Sequence, residues 1–171
     1  RHHLTVAGPH TRPGGRVRSL RIEAIARPVE PPLYSFAFIS DTHLRRAGRE
    51  DWMNRKLSDA AGPALLSTLR ALAAEGMAFV MHGGDITDKA TRDEFVLASE
   101  IFAAQPLPVY GSIGNHDRYL PTSRADALDV LGRHFPGGTL DYVFSRPPLR
   151  FVVFDVAVEQ DAVRESKIGW L

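Results

Sequence analysis

The chain has 171 residues, the size of one domain, and 44% of them are hydrophobic, which supports a buried core and excludes disorder over most of the length. Its net charge of +1 is uneven: residues 1–32 hold six Arg against Glu23 and Glu30, and the remainder is mildly acidic, so a broad nucleic-acid-binding face is not favoured. Cysteine is absent, which excludes disulfides and thiolate metal sites and leaves His, Asp, Glu and Asn as the donors for any metal.

In chain order, "GPHTRPGGR" (8–16) lacks an apolar period and reads as a mobile segment, so 1–32 is expected to be a basic, largely mobile start. Within it, "SLRIEAIA" (19–26) alternates like a short strand before "RPVEPP" breaks the pattern. The main domain is expected over 33–171. "YSFAFIS" (34–40) is a buried-strand candidate, and "AGPALLSTLRALAAEG" (61–76) an amphipathic helix closed by Gly76. Strand "MAFVMH" (77–82) follows, then helix "TRDEFVLASEIFAAQ" (91–105), with Thr91 and Glu94 spaced as a capping box, and strand "LPVYGSI" (107–113). The order is β-α-β-α-β. "TSRADALDVLGRHF" (122–135) is a candidate fourth helix, "LDYVFS" and "LRFVVFDV" are two strands joined through "RPP", and "ESKIGWL" reads as a helix start.

Three strand candidates run into three polar clusters: "SDTH" (40–43), "HGGDITD" (82–88) and "IGNHD" (113–117). Asp41 and Asp85 lie 44 residues apart and Asp85 and Asn115 30 apart, about the length of a β-α-β unit. Parallel strands joined by crossover helices end on one sheet edge, so Asp41, His43, Asp85, Asn115, His116 and Asp117 are expected to converge in one crevice. Crowded carboxylates repel one another and are costly to desolvate, and one or two divalent cations would remove that cost. Oxygen and imidazole donors without sulfur suit Mn, Fe, Zn or Mg, and a carboxylate can bridge two ions.

These motifs, as "FISDTHL", "GGDITD" and "GNHD", resemble the ordered signature of calcineurin-like metallophosphoesterases, close to the cyclic-nucleotide phosphodiesterase-like branch, over about residues 33–171. The resemblance implies an α/β fold, a layered mixed β-sheet sandwich flanked by helices. It also implies two divalent metal ions (Mn, Fe or Zn), with Asp41 and His43 at the first, Asp85 as bridge and Asn115 at the second. His116 would contact the phosphate and assist the leaving group. The implied activity is hydrolysis of a phosphoester small molecule, a diester first, by a metal-bound hydroxide. The family pattern continues with a further metal-binding His and a Gly-His-x-His motif, and neither follows His116. "FVVFDV" and "KIGWL" resemble the family segment ahead of those ligands, so the chain is expected to be the N-terminal part of the catalytic domain, stopping short of them. An alternative of another class follows: a non-catalytic fragment or pseudoenzyme that keeps the fold as a metal-binding or partner-binding module.

Gly-Asp alone is turn chemistry and Asp-x-His occurs by chance, so the order and spacing of all three clusters carry the metal reading. Asp117 is expected to cap or hydrogen-bond the His116 turn rather than ligate, and Asp88 to be a turn or cap residue, with support of a metal ligand from behind as its alternative. His82 is expected as a hydrogen-bonded core histidine, His134 at a helix end, and His2, His3 and His10 in a tail. Arg118 offers a guanidinium fork to phosphate, and Tyr119 beside it is a candidate to face substrate, with plain surface placement the alternative for both. Trp52 and Met53 could cap the pocket, although core packing is their commoner fate. Dinucleotide-binding and P-loop glycine patterns are absent, and Ser40, Asp41 and His43 are too close in sequence for a nucleophilic triad. No apolar run reaches the length of a membrane span and none near the start resembles a signal-peptide core, so a cytoplasmic chain is expected. Because it begins with Arg1 rather than Met, it is expected to be processed or partial.

Overall fold

The computed structural model describes residues 2–4, 20–22, 33–46 and 58–155. The expectations for His10, for Trp52 and Met53, and for a helix in "ESKIGWL" fall outside these residues, as do the side chains of His2 and His3. The chain divides into two units, Arg1–Leu33 and Tyr34–Leu171. In the first, β1 (His2–Leu4) pairs antiparallel with β2 (Leu20–Ile22), the latter inside the strand expected at 19–26.

The second unit is built on three parallel strands, β3 (Ala37–Ile39), β4 (Val80–His82) and β5 (Val109–Gly111), in the order β3-β4-β5. Ile39 stands opposite His82 and His82 opposite Gly111, so all three strands end in register. Each is shorter than its apolar run, and β5 pairing stops at Gly111 rather than at Ile113. Helix α1 (Ser58–Ala74) connects β3 to β4, and α2 (Arg92–Ala103) connects β4 to β5, the long crossovers that parallel pairing requires.

Helix α1 begins one turn ahead of the expected Ala61 and closes in a Schellman motif, with Gly76 N–H donating to Ala73 O and Met77 N–H to Leu72 O. The capping box of α2 forms as expected: the Thr91 side chain accepts from Glu94 N, and Glu94 Oε2 accepts from Thr91 N at 3.2 Å and Lys89 N at 2.9 Å. Helix α3 (Ser123–Leu131) packs on α2 and ends in a 3-10 turn, Gly132–His134. The expected 122–135 helix is thus an α-helix followed by a tighter turn. His134 lies at its end, buried, with Nδ1–H donating to Val109 O at 2.9 Å.

Strands β6 (Tyr142–Arg146) and β7 (Leu149–Val153) form an antiparallel pair turning at Pro147 and Pro148. Aromatic packing joins this pair to the parallel sheet. Phe79, fully buried, meets Phe144 and Phe151 edge-on at 5.7 and 5.4 Å, while Tyr110 stacks on Phe144 at 3.8 Å. Truncating a core Phe of this kind costs about 3–5 kcal/mol. The second unit is therefore a mixed α/β structure with a parallel and a small antiparallel sheet flanked by helices, in line with the fold the sequence motifs imply. Among the described residues no helix is long and apolar enough to cross a membrane.

Candidate metal centre

Because β3, β4 and β5 end in register, the chain leaves all three at one edge, and the three polar clusters meet there. The first two clusters stay paired beyond the strands. Asp41 N–H donates to Gly84 O, His43 N–H to Asp85 O and Leu44 N–H to Ile86 O, all within 3.0 Å, and Leu44 and Ile86 anchor the two loops in the core. Asp41, His43 and Asp85 all have left-handed backbones, with φ of 57°, 43° and 52°. A non-glycine residue there carries strain of about 1–2 kcal/mol, so three together are held by the pairing around them.

The third cluster approaches through glycine. A Cβ on Gly84, whose φ is 106°, would lie 2.8 Å from Gly114 N, and one on Gly114 would lie 2.5 Å from Asp85 N and run into Asp85 Oδ1. The two loops touch main chain to main chain. Closure is completed by His116 N–H, which donates to Asp85 Oδ1 at 2.9 Å.

Asp117, fully buried, staples the same loops. Its Oδ1 accepts from Thr87 N and Thr87 Oγ1, both at 2.7 Å, and its Oδ2 accepts from Ile86 N at 3.0 Å and Gly114 N at 2.9 Å. Burial pushes this carboxyl above the ordinary aspartate range, against the opposing pull of the four donors. It serves as a hydrogen-bond partner of the His116 turn, as expected, and its reach extends to the second cluster.

A second brace runs through Thr42 and His82. His82 Nδ1 accepts from Gly84 N at 3.3 Å, so in the neutral ring Nε2 carries the proton and donates to Thr42 Oγ1 at 3.0 Å, whose hydroxyl donates to Ile86 O at 3.1 Å. Burial lowers the His82 pKa to about 4, which keeps this relay neutral. His82 is the hydrogen-bonded core histidine the sequence led us to expect.

Asp41, His43 and Asp85 come together. His43 Nε2 lies 3.7 Å from Asp41 Oδ1 and 3.8 Å from Asp85 Oδ2, room for an ion at the roughly 2.0–2.2 Å bond lengths of nitrogen and oxygen donors. A second group able to hold a metal, His43, Asp88 and His116, shares His43. A neutral imidazole offers one lone-pair nitrogen, so His43 can serve one group at a time. His116 Nδ1 donates its hydrogen to the main-chain oxygen of Asp88 at 2.8 Å, so Nε2 is the ring nitrogen that keeps a lone pair.

Asp88 lies behind the candidate ligands, the alternative to a plain turn or cap residue that its sequence left open. Its side chain is buried, with Oδ1 3.9 Å from both His43 Nδ1 and His116 Nδ1 and Oδ2 3.8 Å from Arg45. Neither its role nor that of Arg45 is legible from turn chemistry; the signal was its place three residues after Asp85, on a loop that closes over the next motif. The His43 and His116 rings meet edge-on at 4.5 Å. Asn115 and Arg118 are exposed at either end of the turn that carries His116, and the centre is open on the side of Asp41, whose side chain is 68% exposed against 15% for Asp85.

A family model described as calcineurin-like phosphoesterase matches residues 34–159, well over half of the chain. No curated protein matches it.

Proposed function

Because the chain belongs to the calcineurin-like phosphoesterase family, we propose that it hydrolyses a phosphodiester with the help of divalent metal held by Asp41, His43 and Asp85. The observation that carries this is the convergence of those donor atoms within 4.8 Å of one another, on three residues held in left-handed conformations. Strain concentrated on would-be ligands points to function rather than to chain economy. Asp85 would bridge to a second ion with Asn115, completing a dinuclear centre. A bound metal, Mn, Fe or Zn as the family resemblance implies, would supply positive charge that polarises a phosphoryl oxygen and acidifies water.

The protein's own part is orientation and proton transfer. His116, fixed through Nδ1–H by Asp88 O, is left with Nε2 as the ring nitrogen that would pass a proton to the departing ester oxygen. The His116 main-chain N–H, donating to Asp85 Oδ1, ties the acid to the carboxylate that would bridge. Arg118, exposed two residues on, would offer its guanidinium to the phosphate.

A second reading, metal binding without turnover, draws support from the same bond. Asp85 Oδ1 already accepts His116 N, which leaves it fewer lone pairs for a second ion. The test is metal stoichiometry by mass spectrometry after Mn²⁺ loading, with hydrolysis of a diester and a monoester measured alongside. Asp85→Asn should lose metal and activity together, and His116→Ala should keep metal and lose turnover. Equal metal loss in both variants would break that division of roles, and one ion with no turnover would favour the second reading.

A further inference from the structure

Immediately after the His116 turn the chain presents two large apolar side chains to solvent, Tyr119 at 50% and Leu120 at 42% exposure. The other exposed large hydrophobics among the described residues lie at Leu33–Phe38 and on β7, and this pair directly follows the turn that carries His116. Its position is built. Leu120 N–H donates to Ser123 Oγ at 2.9 Å and Ser123 N–H returns to Leu120 O at 3.1 Å, with Ser123 itself buried at the start of α3. Tyr119 has helical backbone angles, φ −65° and ψ −22°, at the end of the turn. Its ring centroid is 4.8 Å from that of His116, which in turn is 4.5 Å from His43. Apolar surface held rigidly in water is unfavourable unless something covers it, and a fixed aromatic ring loses little entropy when it does so.

We propose that Tyr119, with Leu120, is a specificity-determining shelf that receives a flat aromatic substituent of a phosphoester anchored at Asp41, His43 and Asp85. This rests on the phosphoester reading above. A phosphoryl group beside His116 would leave its organic group within reach of the Tyr119 ring, centred 4.8 Å from that of His116, where a planar ring can stack and a small alkyl group cannot. Stacking uses the ring face, so the phenolic hydroxyl is not required.

The test is calorimetric titration of the Mn²⁺-loaded chain with phenylphosphonate and methylphosphonate, whose carbon–phosphorus bonds are not ester bonds and so report binding without turnover. Phenylphosphonate should bind about threefold to tenfold more tightly. Tyr119→Phe should keep that preference and Tyr119→Ala should lose it, with methylphosphonate binding alike in all three. A preference that survives Tyr119→Ala, or is missing from the parent, overturns the shelf alone. Loss of methylphosphonate binding in Tyr119→Ala would make the ring a prop for His116 and overturn it equally. If neither phosphonate binds the parent chain, the phosphoester reading falls and the shelf falls with it.

Discussion

Replacing Asp117 by Asn isolates the brace that holds the second and third loops together. The carboxylate accepts four hydrogen bonds, two on each oxygen, from Thr87 on one side and from Ile86 and Gly114 on the other. An amide keeps one oxygen. Its best orientation leaves that oxygen on Ile86 N and Gly114 N and turns the NH2 toward Thr87, whose hydroxyl can rotate to accept while its main-chain N–H cannot. One buried N–H is then orphaned and two charge-assisted bonds become neutral, a loss of about 2–4 kcal/mol. That is a large part of the roughly 5–15 kcal/mol available to a domain. With urea slopes of about 1–3 kcal/mol per molar, the unfolding midpoint of the metal-free chain, followed by far-ultraviolet circular dichroism, should fall by about 1 M or more. An unchanged midpoint would refute the brace, and loss of Mn²⁺ binding at full stability would instead make Asp117 a ligand.

Gly114→Ala should separate the loops, because its Cβ would sit 2.5 Å from Asp85 N, and Mn²⁺ affinity by calorimetry should drop at least about tenfold; retained affinity would contradict the close approach. Burial lowers the pKa of His82 to about 4 and also lowers that of His134, so both are neutral in the fold at pH values where the unfolded chain already protonates them. Their stabilisation is complete above about pH 6.5 and is lost as pH falls toward 4, about 3 kcal/mol in all from His82. The raised carboxyls of Asp117 and Glu94 act in the opposite sense, so the histidine share is read as the difference in unfolding free energy of the metal-free chain between parent and His82→Gln from pH 7 to 5; a difference that does not change with pH would mean His82 is not held neutral. Thr91→Ala removes one half of the α2 capping box and should cost about 1 kcal/mol in the same urea assay, with metal affinity kept.

The alternation of strand and helix, the capping box and the three polar clusters were legible before any coordinates, because each depends on residues close in sequence. The ends of elements were less so. Strands β3, β4 and β5 stop short of their apolar runs because pairing is limited by the neighbouring strand and not by the sequence of each. The Gly-Asn-His-Asp motif begins only after β5 pairing stops at Gly111, and it is spent on placing His116 N–H against Asp85 Oδ1 and Asp117 under the loops. Asp88 shows the limit most clearly: local chemistry assigns it to a turn, while its neighbours His43 and Arg45 lie more than forty residues away in sequence.

By itself the amino-acid sequence determined the donor set, since without cysteine a metal must be held by oxygen and imidazole. It also determined, through the length of the crossovers, that these donors end on one edge of a parallel sheet. Tertiary structure alone decided which atoms face each other. Left-handed backbones at Asp41, His43 and Asp85 are stable only where three loops brace them, and the orientation of His116 depends on a carbonyl supplied by another loop. Periodicity and spacing follow from local geometry, whereas a ligand cluster and a proton's position depend on contacts that only the closed chain makes.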